Sequence, residues 1–341
     1  MIKQNKRRRK YDFGIGLTNN CNFRCKHCYS NRKKIYYIGF EKIRDLCDSL
    51  PINSINFGTG ESGLHPEFRK ILAYVASKGI KTSLTTNGYT PSLLSDEELK
   101  LLNDIDFSLD FPNPKDQIAF RQNKYAFDWV ADGIERCKKL GMTVSLAATL
   151  MKDNASCLDS LLKLSKEKDC FLRINIYKPV HTKKYCMDYD AFWKKIDELF
   201  KKSYLVSCSE PIINAALNRR IDTGCGKNSF RIKPNGKVVP CVYLNDSDIT
   251  LSKLIEKGES VLKKKFDFPS PENCSKCLKF KICGGGCIAR RFYGPGIAMP
   301  DEFCFYSHNM QKPVLKPDWY KGSSDDFVHS DYLCTLIVKP K

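Results

Sequence analysis

Three cysteines close to the N-terminus have the residue type and spacing needed for metal chemistry. Cys21, Cys25 and Cys28 stand in the segment CNFRCKHCY, a C-x3-C-x2-C spacing that puts three thiols in one short loop. Cysteine thiolates are the usual ligands of iron–sulfur clusters, and a [4Fe–4S] cube needs four ligands. A closed structural zinc site would also need four protein ligands, usually from two C-x2-C-like pairs. The triplet therefore predicts a reactive metal site with one position left open.

A second set of cysteines lies in the C-terminal third and has a regular spacing of its own. It consists of C-x10-G-x4-C with Cys225, Gly236 and Cys241, then C-x2-C-x5-C-x3-C with Cys274, Cys277, Cys283 and Cys287, and finally Cys304. In a large chain without a secretory signal, clustered cysteines bind metal or do redox chemistry more often than they form disulfides. Zinc is one alternative because C-x2-C knuckles bind it well.

Strand-like and helix-like segments alternate up to about residue 200 and must position these cysteines. Strands are predicted at 11–17, 54–57, 80–85, 105–109, 143–150 and 172–177, and helices at 39–50, 68–78, 96–102, 126–140 and 158–167. This repeating pattern predicts a parallel sheet with right-handed crossovers. Six such units form a partial or full (β/α) barrel, whose chemistry lies at the carboxyl ends of the strands.

The pattern changes beyond residue 179. A loop is predicted at 179–188, helices at 189–202 and 211–220, and a hairpin of 230–233 and 237–240 around Pro234-Asn235-Gly236. Beyond Asp222 the chain is rich in cysteine, glycine and proline and has few long periodic stretches. A short region with little core and many cysteines is usually held together by metal.

The chain carries a large positive charge. Its 341 residues include 57 Lys and Arg against 38 Asp and Glu, a net charge of +19 with a pI near 9.2. Such a charge favours an acidic partner, whether a nucleic acid, a nucleotide or an acidic peptide, and a lysine-rich solvated surface is the alternative. The basic runs at 194–195 and 263–265 lack interleaved aromatic residues, which favours solvated helix faces over nucleic-acid binding.

No segment of the sequence indicates a membrane or secreted protein. Residues 1–10 are basic, but no apolar stretch follows them, so they do not form a secretory signal. No apolar run approaches the length of a membrane span. The length leaves room for a large domain and a smaller one. We therefore expect a cytoplasmic protein without a membrane partner.

With this order of elements and motifs, the N-terminal two thirds of the chain resembles the radical S-adenosylmethionine (SAM) superfamily. In that family C-x3-C-x-aromatic-C follows the first barrel strand, and His27 occupies the aromatic position here. The resemblance implies that Cys21, Cys25 and Cys28 hold a [4Fe–4S] cluster whose open iron binds SAM. It also implies reductive cleavage of SAM to methionine and a 5′-deoxyadenosyl radical, which abstracts hydrogen from the substrate.

Further positions match the SAM-binding motifs of the family in chain order. Gly60 and Glu61 match the Gly-Gly-Glu-Pro motif, whereas Thr59 and Ser62 depart from it. By this resemblance Glu61 receives the methionine ammonium. The Asn-Gly pair at 87–88 also matches a family motif, but a structural turn explains this pair equally well. The implied SAM-binding set is His27, Gly60, Glu61, Asn87, Ser108, Asp110 and Arg121.

The C-terminal cysteines resemble the seven-cysteine SPASM domain, which carries two auxiliary iron–sulfur clusters. The implied ligands are Cys225, Cys241 and Cys287 for auxiliary cluster I, and Cys274, Cys277, Cys283 and Cys304 for auxiliary cluster II, both expected to be [4Fe–4S]. The family pattern leaves the fourth ligand of cluster I undefined. Cys208 is one candidate, and an open iron that binds substrate is the other. The remaining cysteines are interpreted as core residues or left without a role: Cys47, Cys137, Cys157, Cys170, Cys186 and Cys334.

The two resemblances predict the fold class and the domain order. The fold class is α/β, with a partial (β/α)6, TIM-like radical SAM barrel followed by a small cysteine-rich SPASM domain. The predicted divisions are a basic leader at 1–10, the barrel at 11–200, a helical bridge at 201–222, and the SPASM domain with a C-terminal tail at 223–341.

Three hypotheses for the substrate remain open. SPASM enzymes often modify ribosomal peptides, and a basic enzyme suits an acidic leader peptide. Only about ten residues precede the first strand, too few for the N-terminal leader-binding domain of many such maturases. A small metabolite, sugar or nucleotide is the second hypothesis, and a non-enzymatic iron–sulfur or zinc scaffold is the third. Val242 stands where the sulfatase-maturing branch often has a carboxylate, which counts against formylglycine formation.

The resemblance also implies further partners. Reductive cleavage of SAM needs an electron donor such as flavodoxin or ferredoxin, and the auxiliary clusters would transfer electrons or anchor the substrate. No residue in the sequence identifies a catalytic acid or base.

Overall fold

Six consecutive strands form the centre of the molecule and carry the loops with the predicted site residues. They are β1 (Tyr11–Ile15), β2 (Ile52–Phe57), β3 (Lys81–Thr86), β4 (Asp104–Ser108), β5 (Thr143–Leu150) and β6 (Phe171–Ile176). Each strand pairs in parallel with the next one along the chain. The predicted parallel sheet is confirmed, because strand-and-helix alternation lets every connection cross the sheet before the next strand.

The computed structural model describes residues 11–220, 225–244, 247–263, 266, 268–323, 327 and 334–341. The predicted leader at 1–10 and the predicted boundary at 222–223 lie outside these residues.

The helices of the first two hundred residues follow the predicted order. They are α1 (Phe40–Ser49), α2 (Phe68–Ser77), α3 (Tyr89–Leu93), α4 (Asp96–Leu99), α5 (Pro114–Arg121), α6 (Asp128–Lys139), α7 (Leu158–Glu167) and α8 (Tyr189–Lys202). In α6 the buried apolar side chains are those of Val130, Ile134 and Cys137, a spacing of four and three residues that puts one apolar stripe against the sheet. Cys47 and Cys170 are buried in the same core, as expected, whereas Cys157 is half-buried beside a smaller apolar cluster.

Two short helices before β6 were not predicted, and two of the predicted helices are shorter than expected. α3 and α5 occupy segments without a long apolar period, but α5 has a local start signal. Asn113 caps it by accepting a hydrogen bond from the Asp116 amide at 2.9 Å, and Pro114 follows at the first helical position. α4 ends at Leu99 instead of residue 102, and the helix predicted at 211–220 ends at Ala216.

The C-terminal part of the chain contributes short elements between its cysteines. The helices are α9 (Pro211–Ala216), α10 (Leu251–Lys257), α11 (Ser260–Lys263), α12 (Phe280–Cys283) and α13 (Ile288–Tyr293), and the strands are β7 (Ser203–Cys208), β8 (Ser229–Ile232), β9 (Val238–Val239), β10 (Asp318–Trp319) and β11 (Thr335–Pro340). β8 and β9 form the predicted antiparallel hairpin.

The later strands extend the central sheet at both edges, which the sequence did not reveal. The strand order is β10-β7-β11-β6-β5-β4-β3-β2-β1-β8-β9. β8 pairs in parallel with β1, and β11 lies antiparallel between β6 and β7. The six central strands therefore form an open run, as expected for the partial (β/α)6 barrel, and residues assigned to different predicted domains share one sheet. The exact domain divisions stay a prediction.

Candidate active site and cysteine groups

One cavity lies at the carboxyl ends of the central strands and collects most of the predicted site residues. The loops after β1, β2 and β3 and the end of β4 line it, and its volume is about 270 Å³. The lining includes all three cysteines of the N-terminal triplet and six of the seven predicted SAM-binding residues, namely His27, Gly60, Glu61, Asn87, Ser108 and Arg121. Asp110 is fully buried behind this lining. This is the edge at which parallel α/β folds place their chemistry.

The N-terminal triplet is half-buried and receives hydrogen bonds from neighbouring loops. Cys21 Sγ accepts from the Phe23 amide at 3.4 Å and from Asn87 Nδ2 at 3.7 Å, and Arg121 Nη1 donates to Cys25 Sγ at 3.7 Å. Burial, followed by the nearby Glu61 carboxylate, raises the pKa of the Cys21 thiol to about 12. Thiolates in such a place need compensating positive charge, which a bound metal group supplies.

Glu61 is fully buried and joins the loops around the triplet. Its carboxylate accepts hydrogen bonds from the hydroxyls of Thr86 and Thr90 and from the amides of Asn87 at 2.9 Å and Thr90 at 3.0 Å. Its own amide donates to the carbonyl of Asn20 at 2.8 Å. Burial raises the pKa of this carboxyl, and the hydrogen bonds oppose that rise. Glu61 therefore positions the Asn87 loop, and its contact with a methionine ammonium stays a prediction.

The backbone conformation and the close surroundings of residue 60 require glycine. The φ of Gly60 is +66°, and a Cβ at this position would lie 2.4 Å from the carbonyl oxygen of Asn20 and 2.5 Å from that of Thr18. Thr59, which replaces a glycine of the family motif, also has a positive φ of 71°. The Thr59 hydroxyl lies 2.8 Å from the Tyr29 hydroxyl. Thr59 therefore adopts a left-handed backbone conformation that favours glycine and adds a contact with the cysteine loop.

His27, Asp110 and Arg121 form a buried group beside the triplet. Arg121 Nη2 lies 2.6 Å from Asp110 Oδ2, and His27 Nε2 lies 3.5 Å from the same oxygen. Burial lowers the pKa of His27 to about 4, so its ring is neutral at pH 7. Its Nδ1 has no hydrogen-bond partner among the described residues. An unpartnered buried ring nitrogen beside a cavity is suited to a ligand hydrogen bond.

A second group of four thiols lines the same cavity. The Cys225 thiol is in hydrogen-bonding contact with those of Cys241 and Cys334, and the Cys334 thiol contacts that of Cys287. The predicted candidate for this group, Cys208, is buried elsewhere, with its sulfur 3.8 Å from the carbonyl oxygen of Glu210. The structure thus brings Cys334 to the three cysteines predicted for auxiliary cluster I. No spacing in the sequence pointed to it.

The four cysteines predicted for auxiliary cluster II form a third group. Burial, together with the neighbouring thiols of Cys304, Cys274 and Cys277, raises the pKa of the Cys283 thiol to about 11. The Cys277 amide donates to the carbonyl of Cys274 at 3.0 Å, so the C-x2-C segment forms a tight turn. These four cysteines are absent from the lining of the large cavity.

A turn of three glycines separates the second and third groups. Gly284, Gly285 and Gly286 all have positive φ, between +57° and +97°. A Cβ on Gly286 would lie 2.1 Å from Asp301 Cβ. The turn reverses the chain between Cys283 and Cys287, so these two thiols, four positions apart, reach different groups.

A buried ionic network, which sequence reasoning did not anticipate, supports this turn. Asp301 Oδ2 accepts from the Cys287 amide at 2.7 Å and lies 2.7 Å from Arg290 Nη2. Arg290 Nη1 also donates to the Glu210 carboxylate at 3.1 Å. All three charged side chains are fully buried. The network links α13 to the start of α9 and fixes the backbone of Cys287.

Two tyrosines lie between the triplet and the second group. The rings of Tyr29 and Tyr243 meet edge to face with centroids 4.9 Å apart. Burial raises the pKa of both phenols, so both are neutral at pH 7. The buried Lys178 places its Nζ 5.5 Å from the centre of the Tyr243 ring. Sequence reasoning missed all three residues. A signal was available for the tyrosines, because Tyr29 directly follows Cys28 and Tyr243 stands two residues after Cys241.

The rest of the cavity wall combines apolar residues, such as Ile15 and Ala147, with polar and cationic side chains. The polar and cationic side chains from the sheet side are Asn56, Thr85, Thr149, Asn175, Lys178 and Arg231. These residues come from the central strands, from the residues just after β6 and from β8. The wall can therefore bind a ligand that is rich in hydrogen-bond acceptors.

The three thiols of the N-terminal triplet are the donor type that ligates iron–sulfur clusters. Among residues 11–220 and the described later segments, no group of three or more His, Cys, Asp or Glu side chains is arranged to hold one metal ion. The triplet instead offers three thiols facing one cavity, with polar groups of three further loops beside them. No helix in the described part of the chain is long and apolar enough to cross a membrane.

Comparison with known proteins gives the family. Residues 15–164 match the model of the radical SAM superfamily. The chain is 24% identical to the mycofactocin maturase MftC of Mycolicibacterium smegmatis, over 95% of this chain and 91% of the relative. It is 25% identical to the cysteine-type anaerobic sulfatase-maturating enzyme of Clostridium perfringens, over 78% of this chain and 85% of that protein.

The fold is shared with a solved structure. The crystal structure of Streptococcus suis SuiB bound to the precursor peptide SuiA matches with a TM-score of 0.68 at 16% identity, over 86% of this chain and 76% of that chain. The predicted resemblance is confirmed. Residues 15–164 carry a radical SAM domain, and this match together with the maturase relatives supports a radical SAM enzyme with a C-terminal SPASM domain, a [4Fe–4S] cluster that works with SAM, and auxiliary iron–sulfur clusters.

Proposed function

We propose that this protein is a peptide-modifying radical SAM enzyme in which Cys21, Cys25 and Cys28 hold the SAM-binding cluster. The observation that carries the proposal is the single cavity lined both by this triplet and by the group around Cys225 and Cys287. Bound together, the cluster and SAM supply a 5′-deoxyadenosyl radical that removes a hydrogen atom from the substrate. Substrate that fills this cavity would shield such a radical from water and side reactions.

The residues around the triplet hold and orient SAM. Asn87 and Arg121 donate to the sulfurs of Cys21 and Cys25 and so stabilise the thiolates. Asp110 fixes the Arg121 guanidinium and the ring of His27, whose free Nδ1 is available to the adenine. Gly60 and Glu61 shape the loop that would hold the methionine end, and Ser108 lines the wall that would accommodate the ribose.

The two further cysteine groups hold the two auxiliary clusters in this proposal. Cys225, Cys241 and Cys287 contribute to cluster I beside the cavity, and the group of Cys274, Cys277, Cys283 and Cys304 holds cluster II. Cluster II lies away from the cavity lining, which suits contact with an external electron donor such as a flavodoxin or a ferredoxin.

A peptide is the substrate that the observations favour. The matched relatives include a mycofactocin maturase and a sulfatase-maturating enzyme, and the SuiB structure holds a precursor peptide. The polar side chains of the cavity wall, Lys178 and Arg231 among them, offer partners for peptide carbonyls and carboxylates. The net charge of +19 favours an acidic segment in that peptide. Val242 in the wall offers no carboxylate as a base, which disfavours formylglycine formation.

The test starts from cluster-loaded protein, SAM and a reductant under anaerobic conditions. We expect 5′-deoxyadenosine from the native chain and none from Cys25→Ala, with Cys157→Ala as the control because this half-buried cysteine lies outside the cavity lining. Equal product from Cys25→Ala would contradict the assignment of the triplet.

A second measurement separates a peptide from a metabolite. Short peptides encoded beside the gene are added in uniformly deuterated form, and mass spectrometry follows deuterium into 5′-deoxyadenosine. Transfer from such a peptide supports the proposal. Transfer from a deuterated sugar or nucleotide, and from no peptide, would contradict the peptide assignment and leave radical SAM chemistry intact.

A further inference from the structure

We propose that Cys334 is the fourth cysteine ligand of auxiliary cluster I and that this cluster is closed to substrate. The inference rests on the proposed function, since it assumes that Cys225, Cys241 and Cys287 hold a cluster. It assigns a role to a cysteine that lies outside the seven-cysteine spacing and 30 residues after its last member, Cys304.

The position of Cys334 is set by the sheet. It directly precedes β11, whose residues Leu336, Ile337 and Val338 are fully buried between β6 and β7. Thr335 anchors the start of the strand, because its hydroxyl donates to the carbonyl of Ile174 at 3.0 Å. A ligand that stands next to a central strand is held more precisely than one on a free loop.

The thiol of Cys334 lies inside the group and not at its edge. It contacts the thiol of Cys225 on one side and that of Cys287 on the other. Cys241, through its contact with Cys225, completes the set of four. The four sulfurs come from the segment before β8, the end of the hairpin, the residue after the glycine turn and the residue before β11, so they converge from separate parts of the chain.

The other candidate, Cys208, faces elsewhere although its strand is adjacent. Cys208 pairs with Leu336 across β7 and β11, two residues beyond Cys334. Its sulfur lies 3.8 Å from the carbonyl of Glu210, and its own carbonyl accepts from Asn214 Nδ2 at 2.9 Å. It lies outside the cavity lining, whereas Cys334 belongs to that lining.

A fourth thiolate changes what the cluster can do. A [4Fe–4S] cube with four cysteine ligands has no iron free for a substrate atom. The substrate must then bind beside the cluster, along the wall of Tyr243 and Lys178 that separates it from the triplet. Lys178 Nζ lies 3.5 Å from the carbonyl of Cys334, so a cationic group stands directly at this cluster.

The test uses full-length protein in which Cys21, Cys25 and Cys28 are all changed to Ala, so that only auxiliary clusters remain. After anaerobic reconstitution we expect about eight irons per chain, and a reduced-cluster EPR signal that added imidazole does not change. With Cys334→Ala added, we expect either a fall towards about four irons or a signal that shifts with imidazole. Cys208→Ala is the matched control and should leave iron content and signal unchanged.

Each outcome decides the assignment. Cys334→Ser keeps the size of the side chain, so an altered EPR signal with unchanged far-UV circular dichroism supports ligation. A Cys334→Ser signal equal to that of the parent would overturn the proposal, and so would an effect of Cys208→Ala alone or an imidazole response in the parent. A parent that holds zinc instead of iron is a different failure, because it removes the auxiliary clusters of the proposed function before any change at Cys334.

Discussion

The two cysteine groups that share the cavity are built in opposite ways. The N-terminal triplet lies within one loop, between residues 21 and 28, and neighbouring strand loops only support it. The group around Cys287 comes from segments between residues 225 and 334. The first group is formed by a short stretch of chain, whereas the second exists only when the sheet has assembled.

This difference has an energetic consequence. Closing a loop costs more entropy as the loop lengthens, so the group of distant cysteines needs larger compensation than the triplet. The compensation comes from buried strands and from the Arg290 network, and metal binding adds to it because the site does not exist in the unfolded chain. The triplet supplies three thiols and leaves one ligand position of its cluster open. The proposed group of four thiols, gathered from four segments, fills every ligand position of auxiliary cluster I.

The largest expected contrast comes from removing one cysteine of each group. Cys28→Ala should abolish 5′-deoxyadenosine formation and lower the iron content from about twelve to about eight per chain. Cys287→Ala should lower iron by a similar amount but leave SAM cleavage measurable, because the triplet does not depend on it. Iron analysis and chromatography of the products measure both. The comparison fails if Cys287→Ala also removes the iron of the triplet.

The glycine turn between the second and third groups gives the next effect. Gly286→Ala would place a Cβ against Asp301, which is buried and bound to Arg290, so we expect a loss of about 3–5 kcal/mol in the free energy of unfolding. Gly284→Ala is the matched control, since it has positive φ but open space around its Cβ, and should cost about 1–2 kcal/mol. Urea unfolding of the cluster-loaded protein gives both values. Equal losses would show that Asp301 moves aside freely.

The same contrast explains what the sequence could predict. The strands up to β6 and the helices between them, apart from the short α3 and α5, follow from local periodicity and from terminal glycines such as Gly79 and Gly141, because these signals lie within each segment. The triplet was recognisable for the same reason. The insertion of β11 between β6 and β7, and the partners of Cys334, depend on pairing between distant segments and leave no local spacing. The buried pair of Arg290 and Glu210 was hidden because both are residue types common on surfaces.

The support of the triplet by its neighbours can be tested at Glu61. Glu61→Gln replaces one acceptor oxygen by a donor that faces the Thr90 amide or the Asn87 amide. We expect a loss of about 1–3 kcal/mol in stability and weaker SAM binding, because the loop with Asn87 is no longer held. Calorimetric titration with SAM measures the affinity. Ser62→Ala, a change at the adjacent buried residue, is the control. Unchanged affinity in Glu61→Gln would mean that the loop keeps its position without this carboxylate.

The smallest effect concerns β11, the strand that Cys334 directly precedes. Asp169 binds Lys339 of β11 at 2.7 Å and Lys138 at 2.9 Å, and these two contacts lower the pKa of its carboxyl to about 2. Because the unfolded chain takes up this proton at the ordinary pKa of 3.8, the contribution to stability is complete above that pH and is lost as pH falls towards 2. The carboxyl is mostly exposed, so solvent screening limits the effect to less than about 1 kcal/mol.

Asp169→Asn should therefore lower the stability slightly at pH 7, and its difference from the native chain should shrink as the pH falls below 4. Urea midpoints at a series of pH values measure that difference. Asp159→Asn is the matched control, because its partner Lys202 belongs to α8 and not to β11. If β11 is held chiefly by its buried residues, the iron content of the second group should not change in either variant. Loss of that iron in Asp169→Asn alone would show that a surface ion pair at the far end of β11 is needed to keep Cys334 in place.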